Sequence, residues 1–218
     1  MQTTREDIDA LAARFVECMP ELDQDQRRVS IAIYRLLAAG EPVPVASVAS
    51  PVGLPEARVQ EALDGWPGVF YDDAKSIVGY WGLAIPKMSH RFEVGGRTLY
   101  TWCAWDSLFL PQILGQEAHV ESTCPVTGGS IRLVVAPDSV RGVEPTSTVM
   151  SFPKAEHMEL TDDVVTSFCH YVHFFSSPDA AAEWIRDNPR HLMLSLDQAF
   201  ALAQKKNSLQ FGEMLDAD

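Results

Sequence analysis

Between residues 98 and 124 the chain reads TLYTWCAWDSLFLPQILGQEAHVESTC, which sets Cys103 and Asp106 three residues apart, between tryptophans and a bulky apolar run. On a helical turn that spacing puts a thiol and a carboxyl on one face. A second stretch, SFCHYVHFF at 167–175, places Cys169 just before an aromatic, strand-prone run. The two stretches read as meeting in the fold, with Cys103, Cys169 and Asp106 facing one small, largely apolar pocket. Such a trio suits capture of a soft metal and protonation of a carbon bound to it.

The rest of the chain limits the alternatives. Its 218 residues are 46% apolar, so one large domain, or a small domain and a larger one, has a proper core without disulfide staples. Lys and Arg number 17 against 30 Asp and Glu, a net charge of −13, which repels phosphate backbones and argues against nucleic acid as a partner. No run of apolar residues is long enough to span a membrane, and the charged start MQTTREDIDALAARF lacks the apolar core of an export signal. The expected location is therefore the cytoplasm. The cysteines, at 18, 103, 124 and 169, form no Cys-x-x-Cys pair and are expected to be free thiols in a reducing compartment.

Along the chain, residues 4–18 predict a helix with Ile8, Leu11, Ala12, Phe15 and Val16 inward, ended by Pro20. A second helix opens at Asp25 or Gln26 and closes at Gly40 and Pro42. Two short helices and a hairpin around Asp72–Ser76 follow, the order of a winged helix. Residues 1–84 hold 7 basic and 13 acidic residues, a net of −6, and the would-be recognition helix carries Glu56, Glu61 and Asp64 beside Arg58. That argues for a winged-helix-like domain without a DNA role. After Gly82 the pattern turns to strands: HRFEV and RTLY joined at Gly95-Gly96, then 118–123, 131–136 and 147–152. WCAWDSLFL predicts a short helix halted near Pro111 and Gly115. Thr161 is the expected N-cap of a short helix with Asp162 and Asp163 in its first turn. HYVHFF is expected to continue as a strand, 178–188 as a helix, and the tail from Ser195 as helix with Leu196, Phe200, Leu202, Leu209 and Leu215 inward. The fold expected is α+β: a winged-helix-like domain over 1–82, then a domain over 83–218 with a mostly antiparallel sheet flanked by helices.

Each site residue has a plainer reading. A cysteine is by default a small buried hydrophobe, which is also how Cys18 and Cys124 read. Asp106 could cap a helix, and Trp102 and Trp105 could be core. His170 and His173 would point to opposite faces of a regular strand, which disfavours a zinc site. A cysteine hydrolase would pair Cys103 or Cys169 with a histidine, but no glycine-framed nucleophile turn is present.

RTLYTWCAWDSLFLPQILG, AHVESTCPVTGGSIRLVV and SFCHYVHFF, spaced in this order, resemble the organomercurial (alkylmercury) lyases of bacterial mercury resistance, over nearly the whole chain. The resemblance implies that Cys103 and Cys169 are the catalytic thiols and mercury ligands, that Asp106 is the catalytic carboxylate, and that Cys124 is structural; the groups themselves would let Asp106 serve as a weak third ligand. His170 stands where some members have a second cysteine. The activity implied is protonolysis of a carbon–mercury bond to a hydrocarbon and Hg(II), in mercury detoxification. No cofactor is required, because the mercury belongs to the substrate. Cytosolic thiols or a mercuric reductase are the implied Hg(II) acceptors. The alternative is a winged-helix regulator that senses thiophilic metals without turnover.

Overall fold

In the computed structural model, residues 4–161 and 163–215 are described. Helix α1 (Arg5–Glu17) is fixed at its start by a capping box in which Thr4 and Asp7 satisfy each other's backbone N–H groups. Helix α2 (Gln24–Leu37) begins slightly earlier than its sequence suggests, because Asp23 and Gln26 form a second such box. Helices α3 (Val45–Val52) and α4 (Glu56–Asp64) follow, then strands β1 (Val69–Tyr71), β2 (Ile77–Tyr80) and β3 (Leu83–Ala84). The Gly95-Gly96 turn, both glycines at positive φ, joins β4 (His90–Val94) to β5 (Arg97–Thr101).

After β5 come helix α5 (Asp106–Leu114) and strands β6 (Ala118–Thr123), β7 (Ser130–Val135), β8 (Val140–Glu144) and β9 (Val149–Pro153). The one-turn helix α6 (Val164–Ser167), β10 (Phe174–Phe175), α7 (Pro178–Asp187), β11 (His191–Ser195) and α8 (Leu196–Phe211) complete the chain.

The protein is a mixture of helices and antiparallel sheet. Eight strands pair in the order β1-β2-β3-β5-β4-β6-β7-β8, and β10-β9-β11 form a second, smaller sheet. Burial alternates along β4, β6 and β7, as expected when one face of a sheet is covered. Leu99, Phe92, Val120 and Leu133 lie in register across four strands as one buried row, and α5 packs against this part of the sheet. The N-terminal helices are tied in at two places. Strand β3 pairs with both β2 and β5, so the sheet runs unbroken across residues 82–83, and α1 packs along α8.

Several expected features differ. Pro111 lies inside α5, which ends only at Gly115 in the left-handed conformation. Asp163, not Thr161, caps α6, accepting from the Thr166 N–H, and Asp162 lies outside the described residues. Leu209 is exposed: the inward side of α8 is the row Ala199, Leu202, Ala203, Lys206 and Gln210. HYVHFF is not one strand. Residues Cys169–Tyr171 form a 3-10 turn, and only Phe174–Phe175 join β9. The cause is Ser151, whose hydroxyl donates to the Tyr171 carbonyl at 2.8 Å and accepts from the His173 N–H at 3.0 Å, taking backbone groups that a ladder would have used.

Trp105 is the centre of the core that supports α5. It is fully buried, donates its indole N–H to the Ala199 carbonyl of α8 at 3.1 Å, and packs edge-on against Phe15, Phe109 and Phe152 at centroid distances of 4.8, 5.4 and 5.0 Å. Trp105→Ala should therefore destabilise the fold by about 3–5 kcal/mol in urea unfolding, the range for large aromatic truncations.

Candidate active site

The turn that carries Cys103 is held by its own side chains. Thr101 Oγ1 donates to the Cys103 carbonyl at 2.9 Å, and Ser107 Oγ donates to the Ala104 carbonyl at 2.6 Å. The Ala104 N–H then donates to the Val172 carbonyl at 3.1 Å. That last bond draws the Cys103 turn against the 3-10 turn that carries Cys169. Ligand atoms of Cys103, Asp106 and Cys169 all lie within 4.8 Å of one another, and the three residues are buried. The two distant stretches do meet, with the two thiols in contact and the carboxyl beside them.

Asp106 does not cap α5. It is the first residue of the helix and turns back, so that its Oδ2 accepts from the Cys103 N–H at 2.7 Å. The opposite side of the carboxyl rests on Gly82. This glycine has φ +102°, and a Cβ there would stand 2.6 Å from Asp106 Cγ. The preceding Trp81 has φ +32°, rare for a bulky residue and a place where strain is held by its surroundings. Two hydrogen bonds hold this corner: Tyr34 Oη donates to the Trp81 carbonyl at 2.9 Å, and the Trp102 N–H donates to the Gly82 carbonyl at 3.0 Å.

A narrow apolar cavity reaches Asp106 and Cys169, with Trp81, Trp102, Phe168 and Lys206 in its walls. Of the two tryptophans flanking Cys103, only Trp102 lines it, and Trp105 is core. Trp102 stacks on Phe70 at 4.7 Å, and its buried indole N–H meets no acceptor among the described residues.

Burial, with hydrogen bonding between the two thiols, sets the protonation of these groups. It pushes the Cys103 thiol well above its usual range, and a hydrogen bond to Cys169 adds to this. The same hydrogen bond pulls Cys169 down, though burial and the charge of Asp106 leave it raised. Burial raises Asp106 to about 6, against hydrogen bonds from Cys103 and the charge of Lys206. Near neutral pH the carboxyl is therefore poised to take and give a proton.

The remaining candidates lie elsewhere. Cys124 is buried at the mouth of the 124–129 turn, apart from the trio. Burial raises its thiol, but hydrogen bonds from Thr127 and Ser176 outweigh this and bring it to about 7. Cys18 packs at the end of α1, its thiol 3.6 Å from the Met158 carbonyl. His170 is exposed, beside Tyr171. Among the described residues, the only group of three or more His, Cys, Asp or Glu side chains placed to share a metal ion is Cys103, Asp106 and Cys169. Sequence reasoning passed over Gly82, Tyr34 and Lys206. Lys206 does leave a signal, because it falls on the apolar row of α8 at positions three and four residues apart, where a lysine is unusual.

Two buried thiols and a carboxyl, set in the turns after β5 and before β10, form a cluster suited to a soft metal with an acid beside it. The profile of the alkylmercury lyase family matches residues 83–206. The alkylmercury lyase of Staphylococcus epidermidis is 41% identical over 172 residues, covering 79% of this chain and 78% of that protein. The alkylmercury lyase of Streptomyces lividans is 40% identical over 172 residues, covering 79% and 78%. The chain belongs to the alkylmercury lyase family. Its fold matches the crystal structure of the mercury-bound form of MerB2 with a TM-score of 0.75, at 22% identity, over 97% of this chain and 100% of that one.

Two predictions follow from this geometry. Gly82→Ala should displace the Asp106 carboxylate, lower activity by about tenfold or more and destabilise the fold by about 1–3 kcal/mol, measured by initial rates and urea unfolding on one preparation. Asp106, raised by burial, stabilises the fold only while protonated. That contribution is present below its ordinary value of 3.8 and is lost as pH rises through about 6. Asp106→Asn should therefore gain stability over the wild type between about pH 5 and about pH 8, on the order of 2 kcal/mol in paired melting curves.

Proposed function

We propose that this chain cleaves the carbon–mercury bond of organomercurials by protonolysis, with Cys103 and Cys169 as mercury-binding thiolates and Asp106 as the proton carrier. The observation that carries this reading is the buried dithiol–carboxyl cluster in a chain of the alkylmercury lyase family.

Cys169 lines the cavity and Cys103 does not, which sets the order of events. The Cys169 thiol attacks R–Hg–X first, and its proton leaves with X as HX. The Asp106 carboxylate takes the Cys103 proton, and the Cys103 thiolate adds to mercury. Two thiolates push electron density towards the carbon and make it more basic. The Hg–C electron pair then takes the proton from the Asp106 carboxyl. R–H leaves, Hg(II) remains on two thiolates, and Asp106 is again a carboxylate. Asp106 is also close enough to serve as a weak third ligand. The scheme needs no resident metal or organic cofactor.

The same reading assigns the released Hg(II) to competing cytosolic thiols or to a mercuric reductase, since two thiolates yield it only to other strong soft ligands. The four unpaired cysteines suit a reducing cytoplasm. No helix among the described residues is long and apolar enough to cross a membrane. Residues 1–82 are read as a winged-helix-like unit, α2 to α4 with β1 and β2 as the wing, and 83–218 as the catalytic part. On α4, Arg58 is the only basic side chain and stands beside Glu61 in an exposed ion pair, which weakens the helix's pull on a phosphate. This supports a unit that walls the cavity with Tyr34 and Trp81 and does not read DNA.

With methylmercury and excess thiol, the wild type should release methane and Hg(II) over many turnovers. Cys103→Ser and Cys169→Ser should each abolish release, because a hydroxyl is a poor ligand for a soft metal. Asp106→Asn should bind mercury but lose at least about a hundredfold in methane formation, the scale of a general-acid contribution. Wild-type rates in Asp106→Asn would remove Asp106 from the mechanism, and tight mercury binding without methane in the wild type would replace the lyase with a sensor.

A further inference from the structure

We propose that Lys206 is a positioning residue that holds the counter-charge of the site: its ammonium balances the single negative charge that the reaction moves from the mercury centre to Asp106. This rests on the protonolytic reading above.

Lys206 is only 1% exposed and lies on the inward row of α8 between Ala203 and Gln210. It lines the same narrow cavity as Asp106 and Cys169. Its Nζ is 3.3 Å from Asn207 Oδ1 and sits 3.9 Å from the Phe109 ring centroid and 5.4 Å from that of Phe211. Among the described residues it forms no ion pair, whereas the adjacent Lys205 is at the surface and paired with Asp9. Asn207 is itself fixed, donating to the Phe109 carbonyl at 2.9 Å and to Gln112 Oε1 at 2.8 Å. Burying an ammonium without a carboxylate is costly, and a methionine would fill the same space at less expense. A site that carries a negative charge gives this lysine a purpose that packing does not.

The charge count supplies the reason. An R–Hg⁺ unit bound by two thiolates carries a net charge of minus one, while Asp106 is a neutral acid. When the Hg–C pair takes the proton, the mercury dithiolate becomes neutral and Asp106 becomes the anion. The pocket therefore holds one negative charge before and after the transfer, among buried side chains. A fixed cation lining that pocket stabilises the Asp106 carboxylate that the step leaves behind, which makes the carboxyl a readier proton donor. The titratable groups that share the cavity with Lys206 are Asp106 from α5, Cys169 from the 3-10 turn and Tyr34 from α2, whose hydroxyl is committed to the Trp81 carbonyl. Burial lowers Lys206 to about 7 and the charge of Asp106 works against that, so an anionic site favours its protonated form.

The test compares the wild type with Lys206→Met, Lys206→Arg and the surface control Lys205→Met. Methane formation from methylmercury is followed across about pH 6 to about pH 9, and thiolate formation in protein without substrate is followed by ultraviolet absorbance. Lys206→Met should melt no lower than the wild type, since it removes a buried charge. It should lower kcat by at least about tenfold with KM within about twofold, and move thiolate formation to higher pH. Lys206→Arg should keep most of the rate, and Lys205→Met all of it. If Lys206→Met does not fold, Lys206→Gln takes its place. The proposal is overturned if the uncharged variant matches the wild type within about twofold at every pH with an unshifted thiolate titration, or if Arg loses as much as Met. Absence of methane from the wild type would instead sink the lyase reading, and the thiolate titration would still decide whether Lys206 stabilises negative charge in this pocket.

Discussion

The site depends on one short hydrogen bond, from the Cys103 N–H to Asp106 Oδ2 at 2.7 Å, made inside a core. It fixes the carboxyl beside the thiol without consuming the thiol. Because the bond is buried, it holds the carboxyl's position while the surroundings raise its proton affinity into the range where a carboxylic acid can both accept and donate near neutrality. The contact with Gly82 closes the other side, leaving the carboxylate little freedom to swing away.

This arrangement ties the N-terminal helices to the candidate site. Tyr34 of α2 holds the Trp81 carbonyl, Trp81 occupies a strained conformation, and the next residue is the glycine against which Asp106 rests. Strain at such a corner persists only when the packing around it is over-determined, as it is where β2, β3 and β5 share one sheet. Residues before and after the strand junction thus cooperate in placing a single carboxyl.

The sequence made the local parts of this site readable. The spacing of Cys103 and Asp106, the Gly95-Gly96 hairpin and the strand at 118–123 all rest on short-range patterns, and each has its counterpart in the structure. What sequence pattern could not give is set by long-range contacts. The aromatic run after Cys169 has strand propensity, yet Ser151, twenty residues away, captures its backbone groups and keeps a 3-10 turn. Strand β11 lies directly against α8 and pairs only along one edge with β9, so its residues show little alternation. Leu209 looked inward on hydrophobicity alone, whereas the helix phase is set by α1 and α5 and brings Lys206 in instead. Gly82 carries no chemistry in its side chain, and only its contact with Asp106 gives it meaning.

The central claim is that a proton, relayed by Asp106, replaces mercury on carbon. The most direct measurement is the isotopic composition of the hydrocarbon formed from methylmercury in D2O. Proton delivery from an exchangeable carboxyl predicts methane carrying a single deuterium. Methane without deuterium, or recovery of the organic group as an alcohol, would contradict it.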